Sequence, residues 1–202
     1  MECAWSLLNY GNSLLYNENF DEAYRILSES IELNDSVLKP ELRPHSYSLT
    51  AYHNRALIAL LKGNRDLSEL ESIYKYKEKK NGKGHPYNAN TLICMGSAET
   101  DVAQSIRYYE RALSILEHGQ YVYGPDHCFV RLCLFIRQGH PKEELPSLLS
   151  EYNAYCLNNP DLSFLIDCIN GKRARDHTRL AVSHNNGSEL LCFPLDIFSE
   201  EG

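Results

Sequence analysis

The sequence lacks any apolar run near the roughly 18 residues that a membrane-crossing helix needs. It lacks the basic start and long apolar core of a secretory leader, opening instead on Met1-Glu2-Cys3-Ala4-Trp5. A cytosolic or nuclear protein is expected, with no membrane partner. Positive charge is in deficit: 20 Lys and Arg stand against 27 Asp and Glu, a net charge of −7. That argues against a general nucleic-acid binder, which needs a cationic face to release counterions. Also missing are a phosphate-binding glycine loop, a dinucleotide glycine fingerprint, a His-Glu-x-x-His helix and a Cys-x-x-Cys pair. No cofactor, no metal and no catalytic residue is therefore expected, and the chain reads as a non-enzyme.

Cysteine does not supply a framework either. The seven cysteines are odd in number and scattered. Cys94, Cys133 and Cys156 sit inside apolar helical patterns, where buried free thiols are the expectation. His127, Cys128, Cys133 and His140 have ligand chemistry without a zinc spacing, as do Cys156, Cys168, His177 and His184. No cysteine is singled out as a nucleophile paired with histidine. Lys172-Arg173-x-Arg175 reads as a solvated helix end, with a nuclear-import or phosphate-contact role as the other reading. Asn34-Asp35-Ser36 and Asn186-Gly187-Ser188 have the form of glycosylation acceptors, but without a leader they carry no meaning.

What is present is amphipathic periodicity. Residues 4–33 read as two helices, carrying Leu7, Leu8, Gly11 and Leu15, then Phe20, Ala23, Leu27 and Ile31. They are separated by the turn Tyr16-Asn17-Glu18-Asn19, with Asn19 and Glu22 at capping-box spacing. The pattern recurs. Residues 46–62 give a striped helix ending at Gly63-Asn64, and a second helix follows from about Asp66, which has Glu69 three residues on. After the break at 81–86 comes a shorter helix near Asn88–Gly96. The clearest helix follows, with Val102, Ile106, Tyr109, Ala112, Leu113 and Leu116 at three- and four-residue steps. A fourth pair is expected from Asp126 to Gln138 and from Pro141 on to about Leu157, although Pro146 fits the second of these only near its start. Residues 162–169 form a capping helix. Each pair has an apolar face too large for water and too small for a core, so neighbours must stack.

These pairs resemble the tetratricopeptide repeat. Ser105-Ile-Arg-Tyr-Tyr109-Glu-Arg-Ala112-Leu113 is similar to the second helix of that motif. Gly11, Phe20, Ala23 and Leu27 fit a first repeat, and Tyr52, Ala56, Ala59 and Gly63 fit a second. Leu132, Phe135, Gly139 and Leu148 fit a fourth more loosely. Matched positions fall roughly 45, 37 and 39 residues apart, longer than the usual 34. The long linkers are 34–45 and 119–126, and Tyr123-Gly-Pro-Asp-His127 resembles the linkers of kinesin-light-chain-type repeats. The resemblance implies an all-α fold, a right-handed superhelical solenoid of antiparallel helix pairs. The resemblance covers about residues 4–157, and the repeat domain, about four pairs and the cap, is expected over 1–170, leaving 171–202 as a C-terminal tail.

The resemblance also implies a function: an adaptor or scaffold whose first helices line a concave groove for a peptide or helix of a partner protein. Groove candidates are Asn9, Asn12, Tyr16, His53, Asn54, Leu57, Asn88 and Arg131. The alternative is a regulatory subunit or ligand sensor controlling an associated enzyme or transcription factor. Gly11-Asn12 and Tyr52-His-Asn54-Arg55-Ala56 look like segments of co-chaperones that clamp acidic chaperone tails. The basic positions of that clamp are here Leu8, Tyr87 and Thr91, so a chaperone C-terminal tail is not the expected ligand. Asn12 and Asn54, each offering donor and acceptor, are expected to hold an internal extended backbone with apolar or aromatic side chains. Few ion pairs are expected there. The tail carries the apolar run Leu190-Leu-Cys-Phe-Pro-Leu-Asp-Ile-Phe198, more apolar area than a solvated tail tolerates. Docking is expected, over the last helices or in a groove, its own or a partner's.

Overall fold

The computed structural model describes residues 2–39, 43–44, 46–119, 124–172, 180–183 and 188–194. Outside them lie His45, Tyr123, Arg173 and Arg175 of the basic cluster, His177, His184, Asn186 of the second acceptor sequence, and the end of the apolar run from Leu195 to Phe198.

The described chain is mostly helical. Helices α1 (Glu2–Tyr16), α2 (Phe20–Ser36), α3 (Ser46–Leu61), α4 (Ser68–Asn81), α5 (Pro86–Ala98), α6 (Val102–His118) and α7 (Pro125–Arg137) follow one another, each packing on the next. Burial follows the stripes. On α2 the inward residues are Ala23, Ile26, Leu27, Ser30, Ile31 and Asn34, and on α6 they are Ser105, Tyr108, Tyr109, Ala112 and Leu116. Small residues set two of the close approaches. A methyl added at Gly11 would stand 2.8 Å from the Leu27 side chain, and one at Gly96 would stand 3.0 Å from the Tyr109 ring.

Helix α5 differs from the others. Every residue from Asn88 to Ala98 is buried. A helix buried on all sides is ordinarily apolar all round, yet α5 contains Asn88, Asn90, Thr91 and Ser97. Its cover comes from α4, α6 and a strand from the tail.

The chain stop signals are specific. After α3, Gly63 N–H bonds the Leu60 carbonyl and Asn64 N–H bonds Ala59 at 2.9 Å, with Gly63 at φ +89°. This paired closure needs a left-handed residue. Gly139 and Gly171 close α7 and a later helix in the same way. After α1 the same two bonds form, Glu18 to Leu15 and Asn19 to Leu14, but the left-handed residue is Glu18 at φ 58°. Asn19 makes no side-chain cap, contrary to the capping-box reading. Its backbone N–H is already committed to closing α1, and its carbonyl takes the Ala23 N–H. Asp66 does accept from a helix-start donor, Ser68 N–H, at 2.9 Å.

The expected single helix from 141 to 157 is broken. A 3-10 turn (Lys142–Glu144) leads into α8 (Leu145–Leu149), and α9 (Ala154–Leu157) starts afresh. Pro146 has no N–H to give and would clash within a helix interior, so it sits in the first turn of α8. Asn153 caps α9 by accepting from Cys156 N–H. Helix α10 (Pro160–Ile169) packs on α7.

Two short strands complete the described chain, an addition to the all-helical expectation. Strand β1 (Leu180–Val182) pairs antiparallel with β2 (Leu190–Cys192), in the register Leu180 with Cys192 and Val182 with Leu190. β1 packs on α10, and β2 packs on α5 and α3. Leu190, Leu191, Cys192 and Phe193 are all buried.

A left-handed glutamate carries a steric cost of about 1–2 kcal/mol. Replacing Glu18 with glycine is therefore expected to stabilise the chain by about 0.5–1 kcal/mol, the loss of unfolded-state restriction offsetting part of the relief. Urea denaturation of the Glu18→Gly chain checks it. A lower midpoint would mean that contacts of the Glu18 side chain outweigh the strain.

Candidate functional site

Four helices, α1, α3, α4 and α5, direct polar side chains at one extended segment. Asn12 on α1 and Asn54 on α3 are buried neighbours: Asn54 Nδ2 donates to Asn12 Oδ1 at 2.7 Å. Both amides also donate to the Ser188 carbonyl, at 3.0 Å from Asn12 and 2.7 Å from Asn54. Asn54 Oδ1 accepts the Leu190 N–H at 3.0 Å. One asparagine thus takes an acceptor and a donor from residues two apart, as a neighbouring strand would.

Further along, His53 Nε2 lies 2.8 Å from the Leu190 carbonyl. Ser97 Oγ donates to the Cys192 carbonyl at 2.7 Å, and Tyr109 OH stands 2.9 Å from the same hydroxyl. Since Ser97 gives its proton to Cys192, Tyr109 is the donor of that second bond. Ser188, Leu190 and Cys192 are alternate residues, so one edge of β2 meets the helices throughout while β1 pairs with its other edge.

Between the gripped carbonyls, Glu189 points into the helices and is 1% exposed. Its carboxylate lies 2.6 Å from Lys77 Nζ, whose side chain is also 1% exposed. Asn90 Nδ2 donates to Glu189 Oε2 at 2.8 Å, and Thr50 Oγ1 reaches Oε1 at 3.4 Å. Lys77 gives its remaining protons to the Tyr87 carbonyl at 3.2 Å and Thr91 Oγ1 at 3.0 Å. An ammonium has three donors, and here each has an acceptor.

The bonds fix proton positions. The Leu190 carbonyl can only accept, so His53 carries its proton on Nε2. His53 Nδ1, 3.2 Å from Thr91 Oγ1, is then the acceptor from the threonine hydroxyl. Burial first, and the nearby Lys77 charge second, push the His53 pKa down to about 4 from 6.5. For Glu189 burial acts upward, but Lys77, His53 and the Asn90 bond outweigh it and hold the carboxyl below its ordinary value. Cys94 Sγ lies 3.7 Å from His53 Nε2. Burial drives that thiol pKa well up and the imidazole pKa down, the reverse of what a thiolate–imidazolium pair requires.

At the far end Phe193 packs between Phe129 of α7, with ring centroids 5.2 Å apart, and Phe164 of α10, at 5.7 Å. Ser183 Oγ donates to Asp126 Oδ2, and Val182 N–H donates to Asp161 Oδ2.

Of the eight residues singled out from the sequence, Asn12, His53 and Asn54 converge on β2. Leu57 is wholly buried in the apolar core. Asn88 faces away, donating to the Gly82 and Lys83 carbonyls and so fastening the turn before α5. Arg131 pairs with Glu151 at 3.1 Å, and Asn9 and Tyr16 are exposed. Sequence reasoning missed Lys77, Asn90 and Ser97, and it named Thr91 only as a clamp position lacking its cation. The expectation of few ion pairs is corrected by the buried pair of Lys77 and Glu189, since Lys77 of α4 brings a cation to this face beside Thr91. A signal existed for Lys77: it continues the inward stripe Leu70, Ile73, Tyr74 of α4 at helical spacing.

Among the described residues no group of three His, Cys, Asp or Glu side chains gathers as a metal site, and no helix is long and apolar enough to cross a membrane. Comparison with protein-family models and with curated proteins finds no match to this chain.

Two measurements check the site. Removing one member of a buried ion pair strands the other, so Lys77→Met is expected to cost about 3–5 kcal/mol in urea denaturation. Lys77→Met with Glu189→Leu should recover most of that loss, because no unpaired charge remains. Additive losses in the double variant would show that the two residues do not act as a pair.

The second measurement is pH dependence. His53 has a folded pKa of about 4 and an unfolded value of 6.5. Its contribution is complete above 6.5 and is lost as pH falls toward 4, because the unfolded chain takes up a proton that the buried ring refuses. The loss across that window is about 3 kcal/mol. The Glu189 contribution fails only lower, as pH falls through its depressed value. His53→Gln, which can still donate to Leu190, should flatten the decline between pH 7 and pH 5. An unchanged slope in that variant would assign the acid loss to other groups.

Proposed function

We propose that the chain is a protein-interaction adaptor of the tetratricopeptide type, a right-handed solenoid of antiparallel helix pairs whose first helices line a concave groove for a partner segment. The consecutive packing of α1 to α7 supports this reading, as do the close approaches at Gly11 and Gly96 and the buried Tyr109 and Ala112. One observation carries it. Asn12, Asn54, His53 and Ser97, from three first helices, bond the backbone of one extended segment at alternate residues. Side chains that take backbone groups in this way accept many sequences, which is what peptide capture by addition to an edge requires. The segment held is internal, since the chain continues past Phe193. The clamp positions Leu8, Tyr87 and Thr91 carry no cation themselves, while Lys77 reaches the same ground through the Tyr87 carbonyl and Thr91. Nucleic acid and membrane are not among the partners proposed.

Occupation of the groove by the chain's own strand favours a second reading: a regulatory subunit in which tail and partner exclude one another. In both readings the groove is the working surface and no residue is catalytic.

The test is a partner co-isolated with the chain from its native source and titrated against chains that all carry Glu189→Lys, so that tail competition is equalised. Adding Asn12→Ala and Asn54→Ala is expected to weaken the partner by about 1–2 kcal/mol per buried amide bond lost. Affinity unmoved by both changes would place the binding surface elsewhere.

A further inference from the structure

The contact between Lys77 and Glu189 does not suit a merely structural strand. A buried ion pair loses much of its attraction to desolvation, and an apolar pair of similar volume often holds as well or better. What a buried ion pair does supply is discrimination, since an occupant without the carboxylate leaves the ammonium unpaired in a dry site. The site is built for that choice. Lys77 is fixed by the Tyr87 carbonyl and Thr91, leaving one donor for the carboxylate at position 189, and Asn90 addresses the second carboxylate oxygen. A strand that is never exchanged has only its own slipped registers to be chosen against, whereas an exchanged strand must also be told from other sequences.

We infer that Lys77, Thr91, Asn90 and Thr50 form a receptor for a glutamate side chain, and that the partner protein presents an extended internal segment with glutamate there and an aromatic residue four positions later. The aromatic residue would enter the place of Phe193 between Phe129 and Phe164. The tail is then a built-in copy of the ligand, which the partner segment displaces. The inference rests on the groove reading and specifies what the groove selects. Backbone bonds from Asn12, Asn54, His53 and Ser97 give affinity without regard to sequence, whereas the carboxylate and the aromatic ring decide the sequence.

The experiment uses full-length chain and a fluorescent synthetic peptide, Gly-Ser-Glu-Leu-Leu-Cys-Phe-Pro, kept reduced. In the chain, Glu189→Lys sets like charges together and opens the groove, while Glu189→Gln keeps the shape and weakens the tail should the lysine variant fail to fold. The peptide is expected to bind the opened chain at least about tenfold more tightly than its Gln counterpart. Lys77→Met in the same chain should abolish that difference, and replacing the peptide's Phe by Ala should weaken binding to the opened chain by about tenfold or more. Equal binding of Glu and Gln peptides, or a difference that survives Lys77→Met, overturns the glutamate receptor and leaves the groove reading standing. No binding of any peptide to a variant that keeps its helical circular dichroism overturns the groove reading itself.

Discussion

An extended strand laid across helices has a problem that a strand inside a sheet does not. Its N–H and C=O groups on the helix side meet a surface whose own backbone groups are already paired, and burial without partners is costly. Here β2 is completely buried, with β1 on one edge and helices on the other. The arrangement depends on side chains standing in for a missing strand. Asn54 does this most completely, taking Ser188 C=O and Leu190 N–H together.

The same constraint explains the polarity of α5. A helix enclosed by α4, α6 and β2 should be apolar, but Asn90 and Ser97 are needed where the strand passes, and Thr91 is needed to hold Lys77 and orient His53. The groups form one directed chain. Lys77 donates to Thr91, Thr91 to His53, and His53 to Leu190. Each proton has one place to go, so the imidazole is held neutral and the ammonium is left one free donor, which Glu189 takes. Displacing the strand would uncover a buried cation and several buried amides at once. Only an occupant that restores those partners would be accepted without a large loss.

The helices were legible because their signals are local. The stripes of α2 and α6 and the glycine stops at Gly63 and Gly139 act within a turn or two of chain. The reading failed where two local signals competed. Pro146 broke a pattern that periodicity alone would continue, and Asn19 was already used by the closure of α1. Asn12, His53 and Asn54 could be singled out because a resemblance located them. Leu57 and Asn88 show its limit, since a residue one turn along the same helix faces the core or a turn.

The amino-acid order by itself determined the helices α1 to α7, the glycine stops, and the presence of an apolar run from residue 190 that water would not tolerate. It could not determine where that run goes. Ser188 and Glu189, leading into β2, meet Asn12 across 176 residues of chain and Lys77 across more than a hundred, and at such separations no periodicity links the partners. Whether Lys77 is a solvated surface charge or the buried counterion of Glu189 depends on what covers α4 and α5. Only the tertiary structure decides that, because the cost of burying a charge is set by its surroundings and not by its neighbours in sequence.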